Sequence, residues 1–481
     1  MTDEPAAPEV RLPHGGRLRG AWVDGLRVFK GVRYARPPFG ALRFEPPVAE
    51  PPWAGVRNAT RFGAVFPQLS RVVSDADAPL GDEDALSLNV WAPLESPDTR
   101  LPVMVWVHGG GFMRGASSES LYDGTSFARQ GLVFVSIQYR LGVDGFALVP
   151  GAVANRGLLD LLEALRWVRE SIGAWGGDSD RVTVFGQSAG AGALACLMAM
   201  PASRGLFQRV ILQSPSVTCQ TREEADTALD AIASIASVAR TRAALAAAPL
   251  SSVLRAVHRL AAQPELRRAH GLGSRHFFPL RPVIDGHILA DDPLQVIEQD
   301  WRANGSPLQV LVGHNAEEMR LYYVPTGGLE RLTEEDLNRF VQDTRPPVTP
   351  YVGSPGERLC ELQSAYYYVD PAKRLAALAG AHAQSAHHYR FDWRSPQYSG
   401  RLGAAHGVEL PFVFDTWFSP VGREFAGPHP PLDLVYKMRT AWAAFGRDGE
   451  PGWPRHSPQN PWIEVFDAPA TTRHSPASDT R

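Results

Sequence analysis

Cysteine occurs only three times in this 481-residue chain, at Cys196, Cys219 and Cys360. That is too few, and too scattered along the sequence, for a disulfide framework or a cysteine-based metal site. All three read as small buried or exposed thiols. Lysine is as scarce, at Lys30, Lys373 and Lys437, and arginine carries nearly all the positive charge. With an abundance of alanine, this reads as the coding bias of a GC-rich genome. The net charge is −3, and no cluster of Lys or Arg is dense enough to track a phosphate backbone, so no nucleic-acid partner is expected. Long apolar runs are missing too: no stretch approaches the ~18 residues that a membrane span needs. The acidic, proline-rich start, "MTDEPAAPEVRLPHGG", has no apolar h-region, so neither a signal peptide nor a membrane association is expected and a cytoplasmic location is. There is no His/Cys cluster and no P-loop, so neither a metal nor a nucleotide cofactor is implied.

What is present is a series of strand-length apolar runs separated by helical stretches. The runs are "VMVWVH" (103–108), "VFVSIQY" (133–139), "RVTVFG" (181–186), "RVILQS" (209–214), "LQVLVG" (308–313) and "HHYRFDW" (387–393). Continuous hydrophobic strands alternating with helices predict a mostly parallel sheet covered on both faces, an α/β doubly wound core. In "GLLDLLEALRWVRESIGAW" (157–175), Leu158, Leu161, Leu162, Leu165 and Val168 recur at helical spacing. The Ala-rich stretch from about 220 to 268 is also helical, with Val253, Val257, Leu260 and Ala261 on one face. It is expected to be an insertion packing over one end of the sheet. No repeat or linker divides the chain, so 1–481 is expected to be one domain, with polar frayed ends over 1–8 and 468–481.

The most informative stretch is "RVTVFGQSAGAGALACL" (181–197), which holds Ser188 between Gly186 and Gly190. G-x-S-x-G alone is weak evidence, but here a strand precedes the serine and a helix follows it. That is the setting of a nucleophile elbow, where small neighbours let strand and helix approach. A serine hydroxyl needs a base, an acid to orient the base, and donors for the tetrahedral oxyanion. "VMVWVHGGGF" supplies the donors: the glycines after His108 leave backbone N–H groups free to face a substrate oxygen. Gly110 and Gly111, with the amide of Ala189, form the expected oxyanion hole.

With those parts in place, the chain resembles the type B carboxylesterases, the cholinesterase-like branch of the α/β-hydrolases, from about residue 15 to about 467. The stretches that carry the resemblance include "VFKGVRYARPPFGALRFEPP" (28–47), "EDALSLNVWAP" (83–93), "VWVHGGGFMRG" (105–115) and "SIQYRLGVDGF" (136–146). Further on come "NRGLLDLLEALRWVRESIGAWGGDSDRVTVFGQSAGA" (155–191), "PVIDGHIL" (282–289), "GHNAEEMRLYY" (313–323) and "GAAHGVELPFVF" (403–414). The resemblance implies an α/β-hydrolase fold with a helical cap insertion. It also implies a serine carboxylesterase working through an acyl-enzyme, with a small-molecule ester as its partner. In this fold the triad runs serine, acid, histidine along the chain. The family pattern G-x-N-x-x-E puts the acid at Glu318, with Glu317 a solvated neighbour, and H-G-x-E-L-P makes His406 the base. His387 and His388 lie within a strand and are poor candidates. Ser214 matches a family serine that supports the acid and the histidine as a second layer.

The departures from the family pattern are also informative. Animal members pair a cysteine of E-D-C-L with one of C-P-Q, and here those positions are Ala85 and Phe66, a joint loss that fits a reducing cytoplasm. Choline-hydrolysing members place a tryptophan in the loop that is Leu69 to Gly81 here, and this loop has no aromatic residue. The residue before the nucleophile, commonly glutamate, is Gln187. Both changes remove what a quaternary ammonium needs, so an uncharged ester is expected. Among other aromatics, Phe112 and Trp417 are candidates to line the gorge, whereas Trp106 sits in a strand and reads as core. "QSPS" (213–216) replaces the family's Gln-Ser-Gly, so Pro215 alters the local turn. Two ion pairs carried over from the family, Arg43 with Glu83 and Arg140 with Asp160, are expected to brace loops. A non-catalytic binding protein of this fold is the alternative from another class, but such members usually lack a triad residue. An amidase, carbamate hydrolase or acyltransferase would use the same triad.

Overall fold

The computed structural model describes residues 6–69, 79–94, 99–346, 352–468 and 473–474. Most of the two expected frayed ends, and positions 70–78 of the loop noted above for its lack of aromatics, lie outside the described residues. The framework is an eleven-stranded sheet. In chain order its strands are β1 (Ala21–Val23), β2 (Leu26–Arg33), β3 (Ser87–Ala92), β4 (Leu101–Val107), β5 (Val133–Ile137) and β6 (Gly177–Gln187). They continue as β7 (Arg209–Gln213), β8 (Ser306–Asn315), β9 (Ala383–Phe391), β10 (Glu464–Phe466) and β11 (Arg473–His474). The spatial order is β11-β10-β9-β8-β7-β6-β4-β5-β3-β2-β1. Neighbours from β10 to β5 are parallel, and the pairs at either edge are antiparallel.

Side chains of a strand point alternately to its two faces, and here both faces are buried. In β4, Val103, Val105 and Val107 enter one core while Met104 and Trp106 enter another. β7 and β8 divide the same way: Val210, Leu212, Val310 and Val312 lie on one side, Ile211 and Leu311 on the other. Trp106 therefore packs against Tyr122, Phe185 and Phe414 in the interior, as its place in a strand implied. The helix Arg156–Ser171 and the short turn Ile172–Trp175 occupy the expected helical stretch, and Leu158, Leu161, Leu162, Leu165 and Val168 are all buried.

The stretch from 220 to 268 folds as helices Arg222–Ala236, Arg242–Ala247, Leu250–Ala262 and Pro264–Ala269. Thr221 starts the first with a capping box to Glu224, and Val253, Val257 and Leu260 reach the core. A second helical segment, 320–382, follows β8 and builds a third apolar cluster of its own. Its short helices are interrupted by "VPTGGLERLT" (324–333) and other breaks, so no long periodic run announces it. No helix among the described residues is long and apolar enough to cross a membrane.

One expected ion pair needs correction. Arg43 pairs with Asp144, Nε to Oδ1 at 2.8 Å and Nη2 to Oδ2 at 3.2 Å, not with Glu83. Glu83 is exposed, whereas Arg43 and Asp144 are both buried, and a buried guanidinium needs a carboxylate that has left water with it. The three cysteines are free thiols, as expected, although Cys196 Sγ and Cys219 Sγ lie 3.9 Å apart because the helix after β6 packs on the segment after β7.

Arg140 and Asp160 meet as expected, Nη2 to Oδ1 at 2.7 Å and Nε to Oδ2 at 2.8 Å, with both side chains fully buried. Removing one partner strands a charge in the interior. We predict that Asp160→Ala lowers stability by about 3–5 kcal/mol, and that Arg140→Met/Asp160→Leu costs less than Asp160→Ala alone. Urea denaturation measures both, and a double variant less stable than the single would contradict this.

Candidate active site

β6 ends at Gln187 and a helix runs from Ala189 to Ala199, so the chain reverses direction at Ser188. Ser188 has φ 60° and ψ −125°, a conformation that L-residues rarely adopt and that costs about 1–3 kcal/mol. The strain is tolerable only because its neighbours are glycines. A Cβ on Gly190 would stand 2.1 Å from the Val107 carbonyl oxygen, and one on Gly186 would stand 2.8 Å from the same atom. The Ser188 amide donates to the Gln213 carbonyl at 2.9 Å, and its own carbonyl accepts from Gly192 at 2.8 Å and Ser216 at 3.3 Å.

The loop after β4 closes over this turn. A Cβ on Gly109 would lie 3.0 Å from Ser188 Cβ, so only glycine lets the loop come so near. Gly110 and Gly111 adopt φ 116° and 63°. As the first residue of its helix, Ala189 has an amide with no intrahelical acceptor. These three amides are the donors expected from the sequence.

Glu318 and His406 come from loops after β8 and β9 and are joined by their backbones, His406 N–H to Glu318 C=O at 3.1 Å. His406 Nδ1 bonds Glu318 Oε2 at 2.6 Å, and the Asn315 amide donates to Oε1 at 2.7 Å. Both carboxylate oxygens are thus satisfied in a fully buried side chain. With Nδ1 facing a carboxylate, the neutral imidazole presents Nε2 as its acceptor. That nitrogen is paired with the Gln187 amide at 2.9 Å.

Glu317 is not the solvated neighbour expected. It bonds Arg320 at 2.9 Å, accepts from the Ala404 amide at 2.9 Å, and so clasps the loop that carries His406. His387 and His388 are buried within β9 and pair through their backbones with Leu311 and Val312 of β8, and the His387 ring faces Glu450 at 3.7 Å. Ser214 has φ 47° and donates its amide to Gly313 at 2.8 Å, but its buried hydroxyl has no partner and touches neither Glu318 nor His406 through a hydrogen bond. Phe112 is buried against Phe146, and Trp417 is half-buried beside Phe418.

The polar support under Glu318 comes instead from residues that sequence reasoning did not single out. Asn315 Nδ2 donates to Glu409 Oε2 at 2.6 Å, Gln213 Nε2 donates to Glu409 Oε1 at 3.2 Å, and Trp442 Nε1 donates to Gln213 Oε1 at 3.0 Å. Burial, followed by the neighbouring charge of Glu318, pushes the Glu409 carboxyl up to about 7. Glu409 is the glutamate of "HGVELP" and Asn315 the asparagine of "GHNAEE", so both lay inside motifs used only for their neighbours.

Two tyrosines were also missed. The Tyr368 ring lies 4.3 Å from the His406 ring and the Tyr322 ring 5.9 Å from it, both tilted by 34°. Their hydroxyls bond each other at 2.9 Å, and both interact with the Ser188 side chain. Among the described residues no group of histidine, cysteine and carboxylate side chains could hold a metal ion.

Comparison with known proteins was made against this geometry. A model described as the carboxylesterase family matches residues 6–346. A para-nitrobenzyl esterase of Bacillus subtilis is 34% identical over 97% of this chain and 96% of the relative. A phenmedipham hydrolase of Pseudarthrobacter oxydans is 32% identical, with 94% and 93% of the two chains covered. Among solved structures, a Geobacillus stearothermophilus carboxylesterase superposes with a TM-score of 0.82 at 32% identity, covering 97% of this chain and 98% of the other. A thermophilic para-nitrobenzyl esterase does so at 0.83 and 31% identity, with 99% of each covered.

The Glu409 environment has a consequence for stability. Its folded pKa of about 7 exceeds the ordinary 4.5, so the folded state holds this proton more tightly than the unfolded chain. The resulting stabilisation is complete below about pH 4.5 and is lost as pH rises to 7, with a magnitude of roughly 3 kcal/mol. We predict that wild type loses this amount relative to Glu409→Gln between those pH values, measured by paired urea denaturation. A stability difference that stays constant with pH would show that the carboxyl titrates normally.

Proposed function

This chain belongs to the carboxylesterase family and is a serine carboxylesterase with the α/β-hydrolase fold; from that premise we propose that Ser188, Glu318 and His406 are its catalytic triad. The observation that carries the assignment is the 2.6 Å bond between His406 Nδ1 and Glu318 Oε2 beside the strained turn of Ser188. Ser188 Oγ attacks the ester carbonyl carbon and its proton passes to Nε2 of His406. Gln187 must release that nitrogen first, in keeping with catalytic hydrogen bonds that tighten only when substrate is bound. Glu318 stabilises the imidazolium, and the face of Tyr368 adds to it as an aromatic face does for a cation. The amides of Gly110, Gly111 and Ala189 receive the oxyanion. Collapse breaks the bond to the alcohol, which leaves with the proton from Nε2, and water then releases the acid by the same steps.

The preferred substrate is an uncharged small-molecule ester. Glu318 is committed to His406, Gln187 carries no charge, and the positive charge of Arg114 acts on Tyr322. Tyr322 and Tyr368 offer rings, but their hydroxyls interact with the Ser188 side chain. A cytoplasmic location accords with the loss of both cysteines at Ala85 and Phe66 and with the three unjoined thiols.

Ser188→Ala is predicted to lower kcat by about 10⁴–10⁶ with the fold retained, and Glu318→Gln by orders of magnitude, while Glu317→Gln stays within about tenfold. Steady-state kinetics with p-nitrophenyl acetate, together with a fluorophosphonate that should label Ser188 alone, checks all three. Substantial turnover by Ser188→Ala would remove the assignment.

For substrate charge, kcat/KM for a neutral short-chain ester should exceed that for the choline ester of the same acid, after correction for leaving-group reactivity. Because a quaternary ammonium gains about 0.5–2 kcal/mol from an aromatic face, choline-ester hydrolysis equal to the neutral ester's would reveal a working cation site and refute the preference.

A further inference from the structure

Tyr368 is presented in an unusual way. It sits in a π-helical turn, Ala365–Val369, spliced between the helices Pro355–Ser364 and Asp370–His382. Such turns are rare, and they cluster at functional sites because the inserted residue re-aims the side chains around it. Here the turn brings a fully buried phenol over His406, with its hydroxyl facing Ser188. Tyr322 comes four residues after Glu318, and its hydroxyl meets that of Tyr368 at 2.9 Å.

The arrangement is braced independently of the triad. Met319 N–H donates to Ser364 Oγ at 3.0 Å, and Tyr323 donates to Gln363 Oε1 at 2.6 Å, so the acid's loop is tied to the helix that leads into the π-turn. Phe277 and Phe278 pack their rings against Tyr322 at 5.2 and 5.7 Å. Phe278 also limits the oxyanion loop, since a Cβ on Gly111 would stand 2.9 Å from its ring. Burial pushes the Tyr322 phenol up to about 12 and the Tyr368 phenol upward as well, so both keep their protons at neutral pH; one proton is spent between the two hydroxyls, which leaves the other for a third oxygen.

We propose that Tyr322 and Tyr368 are catalytic residues, a phenol pair that donates a hydrogen bond to the leaving alkoxy oxygen of the ester as its bond to the acyl carbon breaks. The proposal rests on Ser188 being the nucleophile. The geometric reason is that the attacking and leaving oxygens share one carbon in the tetrahedral intermediate. A phenol hydroxyl that interacts with the Ser188 side chain in the free enzyme therefore borders the space that the alkoxy oxygen takes once Oγ is bonded to that carbon. The phenols transfer no proton: the proton taken from Ser188 by His406 returns to the alkoxide. The pair instead stabilises negative charge on that oxygen before the proton arrives. The need for this is greatest when the alcohol is a poor leaving group, so the substrate class the pair serves is esters of ordinary alkyl alcohols.

The test is a series of acetate esters, from p-nitrophenyl through phenyl to alkyl, assayed with wild type, Tyr368→Phe, Tyr322→Phe and the double variant. Phenylalanine keeps the ring against His406 and removes only the hydroxyl. The expected loss in kcat/KM is within a few-fold for p-nitrophenyl acetate and grows to about 10–10³-fold for the alkyl esters, in the range for removing a donor to developing charge. The double variant should lose little more than the worse single, because the two hydroxyls act as a unit. A loss that is uniform across the series, or none at all, would overturn the proposal, since a purely structural role has no reason to follow leaving-group basicity. Fluorophosphonate labelling of each variant separates this result from a failure of the triad assignment: label on Ser188 with a flat leaving-group dependence sinks the phenol pair alone, and label elsewhere sinks the nucleophile.

Discussion

At φ 60° and ψ −125°, the Ser188 backbone is held in a conformation that would relax if anything around it gave way. It does not relax because strand β6, the helix that follows and the loop after β4 are packed to the limit of backbone contact, with glycine at each crossing. Gly186 and Gly190 abut the Val107 carbonyl and Gly109 abuts Ser188 itself. Each of these contacts needs the parallel pairing of β6 with β4 and β7, which sets where the strands end. The central sheet is, in this sense, the device that keeps one hydroxyl strained and aimed.

Buried charge is organised around that turn by a consistent rule: each ionised group meets donors or an opposite charge. Glu318 has the Asn315 amide and His406, and Arg140 has Asp160. Glu409 keeps the company of neutral donors and of a second carboxylate, and its raised pKa is the cost. The layer of Asn315, Glu409, Gln213 and Trp442 links the ends of β7 and β8, the His406 loop and a helix near the C-terminal end of the chain, Leu432–Asp448. A polar network shared between these elements fixes Glu318 and His406 relative to each other, which an apolar filling could not do.

The aromatic side of the site has a different origin. It comes from the segment after β8, whose own cluster is separate from the two cores of the sheet. Tyr322 and Tyr368 are 46 residues apart in sequence and bond through their hydroxyls. That segment therefore closes the site with groups that are apolar toward the protein and polar toward Ser188.

Much of this could be read directly from the chain. The continuous apolar strands, the elbow between Gly186 and Gly190 and the glycines after His108 all depend on local pattern, because a strand buried on both faces and a turn that excludes Cβ atoms leave little choice of residue, whereas Glu318 and His406 were singled out by resemblance to the family's motifs. The Arg140–Asp160 pair was legible on family grounds. What could not be read were the partnerships between distant segments. Arg43 took Asp144 rather than Glu83 because burial decides which carboxylate can neutralise a guanidinium, and burial is a property of the folded chain. Glu317 became a clasp for the His406 loop, Cys196 came to lie against Cys219, and the Ser214 hydroxyl was left without a hydrogen bond to Glu318, each through packing that no spacing encodes. Tyr368 is the plainest case, since a π-turn in a broken helical segment leaves no periodic trace, yet it brings a phenol to Ser188. Local chemistry was written in the order of residues, whereas the company each side chain keeps followed from which strands and helices came to share an edge.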